Sequence, residues 1–152
     1  MAIAYLSLGT NIGNKRRNMI TAAALLAERV GDVLALSGFY ETEPWGFASE
    51  NLFLNAAVKL KTSFSPSELL LATQQIEKEL GRTEKSNGAY HDRIIDIDIL
   101  LYDDELLQTA ELTLPHPLMH ERKFVMDPLS EIAPFVVHPV LKERIIDLKE
   151  RL

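Results

Sequence analysis

Patterned segments follow one another along the chain in the order strand, helix, strand, strand, helix, strand. The strand-like runs cover residues 3–8, 33–40, 53–60 and 94–102, and each is rich in apolar residues and close to turn residues. This order is the split β-α-β pattern of ferredoxin-like α+β folds. We therefore predict a ferredoxin-like βαββαβ core with an antiparallel sheet and extra C-terminal elements, including one or two further helices.

The two predicted helices differ in how clearly they begin. The second has the capping box Ser65-Pro66-Ser67-Glu68, with proline at the first helical position, and it ends at Gly81. The start of the second is the clearest in the chain, and for the first helix Gly31 stands where a C-terminal cap is expected. The predicted apolar stripes are Ile20, Ala23, Ala24, Ala27 and Val30 in the first helix and Leu69, Thr73, Ile76 and Leu80 in the second.

Length and composition indicate one compact unit. With 152 residues and a hydrophobic content of 47%, the chain has the usual size of one domain and can bury a core. Because no repeat, linker or low-complexity run divides the sequence, we expect residues 1–152 to form a single domain. All functional residues should then share one site or a few neighbouring ones.

Charge and targeting signals restrict the partners. The net charge of −6 would repel a phosphate polyanion, so binding of nucleic acid through overall charge is not expected. The absence of cysteine excludes disulfides, thiolate catalysis and Cys-type zinc sites. The N-terminus has no basic leader, and its apolar run is too short for a signal peptide or a membrane span. We expect a cytoplasmic protein without a membrane partner.

The stretch that says most about function is the predicted strand that carries Asp96 and Asp98. Residues two apart on a strand point to the same face, so these carboxylates project side by side while Ile95, Ile97 and Ile99 point into the core. Two like charges on one face favour a bound cation, and Mg²⁺ usually takes one or two carboxylates together with water and phosphate oxygens. The exposed polar face of an ordinary strand is the alternative explanation.

Basic residues accompany this pair in the sequence. Arg82 and Arg93 bracket the polar segment before the strand, Lys85 lies between them, and His116 and Arg122 follow the strand. Phosphoryl transfer needs such donors, because its catalysis is mainly positioning and neutralisation of charge. The sequence has no Gly-rich phosphate-binding loop or kinase signature. A nucleotide bound here would therefore be held by metal ions and side chains.

Several separate segments match, in order, the motifs of one enzyme family. They are Tyr5–Gly13, Phe39–Pro44, Phe53–Val58, Glu77–Arg82, Arg93–Leu100, Leu114–Pro117 and Glu121–Val125. Together they resemble the 6-hydroxymethyl-7,8-dihydropterin pyrophosphokinases of folate biosynthesis, and the match covers almost the whole chain. The resemblance implies a ferredoxin-like domain in which the pterin hydroxyl attacks the β-phosphorus of ATP and expels AMP.

The resemblance also implies roles for individual residues. Two Mg²⁺ ions are expected on Asp96 and Asp98, and these aspartates, Arg82 and Arg93 are the expected catalytic residues. The expected ATP contacts are Leu70, Gln74, Glu77, Arg82, Arg93, Ile99, Thr113, His116 and Arg122. The expected pterin contacts are Thr42, Glu43, Trp45, Phe53, Asn55 and Phe124, a set that suits a flat heterocycle because it combines aromatic faces with a few polar groups. For Leu70 and Ile99, plain core packing is the alternative.

The segment before the aspartate pair departs from the family pattern. Members often carry Trp-Gly-Pro-Arg there, whereas this chain has Tyr90 within Gly88–Arg93, and Glu84 replaces a second basic residue. Leu118 likewise stands where a basic residue is frequent. Because the residues from 83 to 88 offer almost no apolar surface, we predict that 82–93 form a mobile lid over the triphosphate.

Two other functions are compatible with the predicted fold. A ferredoxin-like regulatory domain would bind a small molecule without catalysis, and turnover of ATP would separate it from an enzyme. An RNA-recognition module shares the element order, but its aromatic motif is absent and the charge is acidic. Neither explains the aspartate pair together with Arg93, His116 and Arg122. Association with other enzymes of folate synthesis is left open.

Overall fold

The computed structural model describes residues 1–43, 52–81 and 94–152. Its strands and helices are, in chain order, β1 Ala2–Thr10, α1 Lys15–Arg29, β2 Asp32–Leu36, β3 Tyr40–Thr42, β4 Phe53–Thr62, α2 Pro66–Glu79, β5 Asp96–Tyr102, β6 Leu107–Gln108, β7 Thr113–Leu114, α3 Lys123–Ile132 and α4 Ile145–Glu150. A short 3-10 helix, Met119–Glu121, precedes α3. Within the described ranges, no helix is long and apolar enough to cross a membrane.

The main sheet has the predicted ferredoxin-like topology. Its strand order is β2-β4-β1-β5, β3 also pairs with β4, and every pairing is antiparallel. The central strand β1 therefore has β4 on one side and β5 on the other, while β5 lies at an edge of the described sheet. The C-terminal part adds α3 and α4, as predicted, and a β6–β7 hairpin that the sequence pattern did not indicate.

The two faces of the sheet pack against different helices. On one face, Leu8, Val58 and Ile97 belong to a core that includes the buried residues of α1 and α2. On the other face, Tyr5 and Ala57 pack against α3, and α4 packs on α3. Alternation along each strand produces this division, since successive side chains point to opposite faces.

The predicted strand over residues 33–40 is two strands separated by a short break. At the break, Ser37 Oγ accepts a hydrogen bond from the Ala57 N–H at 2.8 Å, and the Gly38 N–H donates to the Glu131 carboxylate at 3.1 Å. Because side chains satisfy the backbone there, β2 and β3 can each pair with β4 without forming one continuous strand.

The apolar stripe predicted for α1 is largely wrong, although the helix is present. Its buried residues are Met19, Ala22 and Leu26. The predicted residues Ile20, Ala24 and Ala27 are exposed, and only Val30, just beyond the helix, is buried as expected. Both sets recur at helical spacing, but the observed set buries the long side chains of Met19 and Leu26, whereas the predicted one would bury three alanines within the helix and Ile20 as its one long side chain.

Helix α2 begins and packs as the sequence indicates. The Glu68 N–H donates to Ser65 Oγ at 3.2 Å, and the Ser65 N–H donates to the Glu68 carboxylate at 2.9 Å, which completes the capping box. The predicted stripe faces the core, with Leu69, Thr73 and Ile76 buried and Leu80 partly buried. This packing sets α2 beside the edge strand β5.

Candidate active site

Small and polar residues occupy the part of the α3-side face that lies beyond the apolar core. In the register of the sheet, Gly9 of β1 stands between Asn55 of β4 and Asp96 of β5. Two residues earlier in β1, Ser7 pairs with Asp98. Because these residues share one face, the sheet presents an amide on one side of a glycine and two carboxylates on the other.

A narrow pocket lies over these residues of the sheet, which form its floor. Its described lining residues are Ser7, Gly9, Thr42, Glu43, Phe53, Asn55, Asp96, Asp98, Arg122 and Phe124. The structure thus brings together the described residues expected to contact the pterin, and Trp45 lies outside the described ranges. That these residues bind a pterin stays a prediction.

Hydrogen bonds fix the orientation of Asn55 in this pocket. Its Nδ2 donates to Thr42 Oγ1 at 2.7 Å and to the Tyr40 carbonyl at 3.4 Å, so the amide nitrogen is turned toward β3. Its Oδ1 lies 3.3 Å from the point where a β-carbon on Gly9 would stand, and the Phe53 ring lies 3.7 Å from that point. Gly9 therefore leaves space that a larger residue would fill.

Glu131 of α3 anchors the chain segment that leads into this pocket. The Tyr40 hydroxyl donates to Glu131 Oε1 at 2.6 Å, and the Gly38 N–H donates to the same carboxylate. The hydrogen bond to Glu131, together with burial and the negative charge, raises the pKa of Tyr40 to about 12. Through Tyr40, α3 holds β3, which carries Thr42.

The sequence reasoning missed Ser7, Gly9 and Glu131. A signal for the first two exists, because a small polar residue and a glycine alternate with leucine in an otherwise apolar strand. Glu131 had no such signal, since its partners lie about ninety residues away in the chain.

A second cleft of about 330 Å³ runs along the edge strand β5, between α2 and the β6–β7 hairpin. Its lining includes most of the described residues expected to contact ATP, namely Leu70, Gln74, Glu77, Ile99, Thr113 and His116. Asp96 and Asp98 line this cleft as well as the narrow pocket. The carboxylate pair therefore stands where the two cavities meet.

Two of the residues expected to contact ATP have structural roles of their own. Glu77 is buried and accepts a hydrogen bond from the Ile97 N–H of β5 at 2.8 Å, which joins α2 to the edge strand. Ile99 is buried in the core between the sheet and its helices. Their packing is a property of the fold, and their contact with a nucleotide stays a prediction.

His116 is a neutral donor in the ligand-free protein. Burial, with the positive charge of Arg122, lowers the pKa of His116 to about 4, and the negative charge of Asp96 only partly opposes this shift. The Leu118 N–H donates to His116 Nδ1 at 3.2 Å. Because Nδ1 accepts that bond, the ring proton lies on Nε2. His116 would therefore donate a hydrogen bond to an anion through Nε2–H. It would do so as a neutral ring, without a full positive charge.

This state of His116 can be measured by NMR of the histidine side chains in metal-free protein. We expect His116 to remain the neutral Nε2–H tautomer as the pH falls from 8 to 5 and to protonate near the lowered pKa, about 4. Between the unfolded pKa and the folded one, the unfolded chain binds the extra proton, so His116 should favour unfolding as the pH falls through this window. If the pKa of His116 in the folded protein were close to its pKa in the urea-unfolded protein, the assignment would be wrong.

Arg122 lies beside both His116 and the aromatic wall of the narrow pocket. Its side chain is buried, and its guanidinium carbon lies 5.7 Å from the centre of the Phe124 ring, within cation–π distance. Its positive charge also helps to lower the pKa of His116. Arg122, an expected ATP contact, therefore lines the narrow pocket and is not among the described residues that line the cleft along β5.

Several expected residues lie outside the described ranges. They are Arg82, Lys85, Tyr90 and Arg93, together with the rest of the predicted lid at 82–93. Among the residues that are described, no group of three or more His, Cys, Asp or Glu side chains is arranged to hold a metal ion. The aspartate pair still has the donor chemistry that suits Mg²⁺, which needs only one or two carboxylates when phosphate and water supply the other oxygens.

The chain is similar in sequence to one protein family over most of its length. Residues 5–134 match the model of a protein family described as 7,8-dihydro-6-hydroxymethylpterin-pyrophosphokinase. The 2-amino-4-hydroxy-6-hydroxymethyldihydropteridine pyrophosphokinase of Porphyromonas gingivalis is 55% identical over 141 residues, which cover 91% of this chain and 95% of the relative. The protein of the same name from Aquifex aeolicus is 42% identical, over 98% of this chain and 91% of the relative.

Solved structures show the same fold. The crystal structure of wild-type Plasmodium falciparum HPPK-DHPS with pteroate superposes with a TM-score of 0.80 at 19% sequence identity and covers 99% of this chain. This chain spans 42% of that longer protein, so the likeness concerns one part of it.

Proposed function

The chain belongs to the 7,8-dihydro-6-hydroxymethylpterin-pyrophosphokinase family, and we propose that it transfers a diphosphate from ATP to the hydroxymethyl group of 6-hydroxymethyl-7,8-dihydropterin in folate biosynthesis. The observation that carries the proposal is the position of Asp96 and Asp98, which line both an aromatic pocket and a separate cleft that contains His116. A regulatory domain without catalysis is not supported, because the similar proteins are named as pyrophosphokinases.

The narrow pocket is the proposed pterin site. Phe53 and Phe124 offer aromatic faces to a flat ring, and Asn55, Thr42 and Glu43 offer polar atoms to its edge. The fixed amide of Asn55 would use its oxygen as an acceptor for ring N–H groups. The pocket encloses only about 50 Å³, so binding of a two-ring heterocycle would require the pocket to widen.

The cleft along β5 is the proposed ATP site. The base and ribose would lie among Leu70, Gln74, Glu77, Ile99 and Thr113, and the phosphates would extend toward His116 in this cleft and toward Arg122 in the narrow pocket. Asp96 and Asp98 would hold Mg²⁺, two ions in the proposal, which supply neutralisation of the phosphate charge. Arg82 and Arg93 are proposed as further phosphate donors, and closure of residues 82–93 over the phosphates is part of the same proposal.

In the proposed reaction, the pterin hydroxyl oxygen forms a bond to the β-phosphorus of ATP. The bond from that phosphorus to the oxygen shared with the α-phosphate breaks, AMP leaves, and the hydroxyl proton passes to solvent. The chain's contribution is to place the two substrates on opposite sides of the aspartate pair and to offer Arg122 and the Nε2–H of His116 to developing negative charge. A cytoplasmic location, where ATP is abundant, completes the proposal.

The direct test is to incubate the protein with ATP, Mg²⁺ and 6-hydroxymethyl-7,8-dihydropterin and to measure AMP and the pterin diphosphate. We expect equal amounts of both products and no AMP when the pterin is omitted. ATP binding without AMP formation, under conditions in which a family member turns over, would instead identify a nucleotide-binding domain without this activity.

A further inference from the structure

Glu131 of α3 is placed to act on the narrow pocket without lining it. Its carboxylate accepts from the Tyr40 hydroxyl at 2.6 Å and from the Gly38 N–H, which lies 3.1 Å from both carboxylate oxygens. Hydrogen bonds to an ionised carboxylate are stronger than those between neutral groups. Glu131 is not among the described residues that line the pocket. Its effect on a ligand there would therefore pass through the segment that these bonds hold.

The segment that Glu131 holds is only weakly fixed by its own strand pairing. β3 consists of the three residues Tyr40–Thr42, and among the described strands it pairs only with β4. An edge strand this short depends on contacts outside the ladder for its position. Glu131 supplies such contacts at Tyr40, the first residue of the strand, and at Gly38 just before it. The carboxylate therefore fixes the end at which β3 begins.

The position of β3 in turn decides how the amide of Asn55 points. Within the described ranges, the acceptors of Asn55 Nδ2 both belong to β3, namely Thr42 Oγ1 at 2.7 Å and the Tyr40 carbonyl at 3.4 Å. Because the nitrogen is turned to β3, the amide oxygen lies toward Gly9, where the floor of the pocket leaves space. A displacement of β3 would move both acceptors together and would release this orientation.

A contribution to stability alone is the competing explanation for Glu131. The residue is exposed, and exposed contacts of a charged side chain usually add little to the free energy of unfolding. Its place on α3 favours a role in the pocket. Phe124, which lines the pocket, and Glu131 are seven residues apart, about two turns of helix, so both lie on the side of α3 that contacts β3. The helix that supplies an aromatic wall of the pocket thus also holds the strand beside it.

We propose that Glu131 is a positioning residue for the pterin pocket, which holds β3 so that Tyr40 and Thr42 keep the amide of Asn55 oriented for the ring. The inference rests on the proposed function, since it concerns binding of the same dihydropterin. An amide that is already held in its binding orientation loses less conformational freedom when the ligand arrives. None of these four residues lines the cleft along β5, so the loss of Glu131 should weaken pterin binding and spare the nucleotide.

The first test needs no ligand and uses NMR of the Asn55 side-chain amide. In Glu131→Ala, both amide proton signals of Asn55 should shift and exchange faster with water, because their acceptors move with β3. Glu143→Ala is the matched control, since Glu143 also accepts two hydrogen bonds, from Arg151, and lines neither cavity. It should leave the Asn55 signals unchanged. Asn55 signals in folded Glu131→Ala that match those of the wild type would overturn the proposal.

The second test measures binding of dihydropterin and of a non-hydrolysable ATP analogue by calorimetry. Glu131→Ala should weaken pterin binding about fivefold to tenfold and change the affinity for the analogue by less than about twofold. Glu131→Gln retains a side-chain oxygen that can accept from Tyr40 or Gly38, so it should recover most of the lost affinity. Full pterin affinity in Glu131→Ala, or an equal loss of nucleotide affinity, would overturn the proposal.

A double variant tests whether Glu131 acts through Asn55. In Asn55→Ala there is no amide to orient, so adding Glu131→Ala should lower pterin affinity by less than about twofold more. The full loss in that background would show that Glu131 acts by another route, such as the spacing of β3 from Phe124, and would overturn the proposal. Wild-type protein that does not bind the pterin would contradict the proposed function, and this inference with it. Wild-type binding that Glu131→Ala retains in full would contradict this inference alone.

Discussion

Replacing Asp96 or Asp98 with asparagine is expected to lower the turnover of ATP and dihydropterin by about a thousandfold or more. Each side chain lines both the proposed pterin pocket and the proposed ATP cleft, so no other described pair is better placed to hold Mg²⁺ between the substrates. Asparagine keeps the shape but loses the charge that binds the ion. Turnover measured at several Mg²⁺ concentrations checks this prediction. Excess Mg²⁺ should restore only a small part of the lost turnover.

The stability of the two variants is the necessary control. Like-charge repulsion between the two aspartates is relieved in either variant, so the free energy of unfolding should not fall greatly. Asp147→Asn is a matched substitution at a residue that lines neither cavity, where a partly exposed aspartate pairs with Arg144 at the start of α4. It should leave turnover unchanged, since exposed ion pairs contribute little. Near-normal activity of Asp96→Asn or Asp98→Asn at ordinary Mg²⁺ would show that the metal assignment is wrong.

The sequence predicts those features of the fold and site that depend on residues close together in the chain. The alternation of isoleucine and aspartate along β5 is local, and it correctly separates the buried face from the face that carries both carboxylates. The capping box of α2 is equally local. The prediction of the buried face of α1 is wrong because two different sets of apolar residues in the same segment have helical spacing. Only packing against the sheet selects the set with Met19 and Leu26.

The features that sequence reasoning missed depend on contacts between distant segments. Gly9 is significant only because the strand register places it between Asn55 and Asp96. Glu131 is significant only because α3 lies where its carboxylate can accept from Tyr40 and Gly38. The neutrality of His116 likewise requires burial beside Arg122, which no motif reveals. Residue type identified the chemistry of the site, whereas register and burial decide how each group can act.

The second large effect concerns Asn55, the polar residue on the floor of the proposed pterin pocket. Asn55→Ala is expected to weaken dihydropterin binding by about thirtyfold to a hundredfold and to change the affinity for a non-hydrolysable ATP analogue by less than about twofold. The reason is that a buried site built to hydrogen-bond a ring leaves ligand N–H groups unsatisfied when its acceptor is lost. Asn55 lines the narrow pocket but not the cleft along β5, so the loss should be confined to one substrate.

A second variant distinguishes the acceptor of Asn55 from its structural hydrogen bond. Thr42→Val removes the partner of the 2.7 Å bond from Asn55 Nδ2 but leaves the Asn55 oxygen in place. If ligand recognition by that oxygen dominates, calorimetry should show a much smaller loss of pterin affinity in Thr42→Val than in Asn55→Ala. Comparable losses in the two variants would mean that the Asn55 oxygen does not dominate recognition, and that the Thr42 hydroxyl contributes as much, either as a pterin contact or as the partner that fixes Asn55. Equal losses of pterin and nucleotide affinity in folded Asn55→Ala would mean general damage to the site, and would contradict a specific role in pterin recognition.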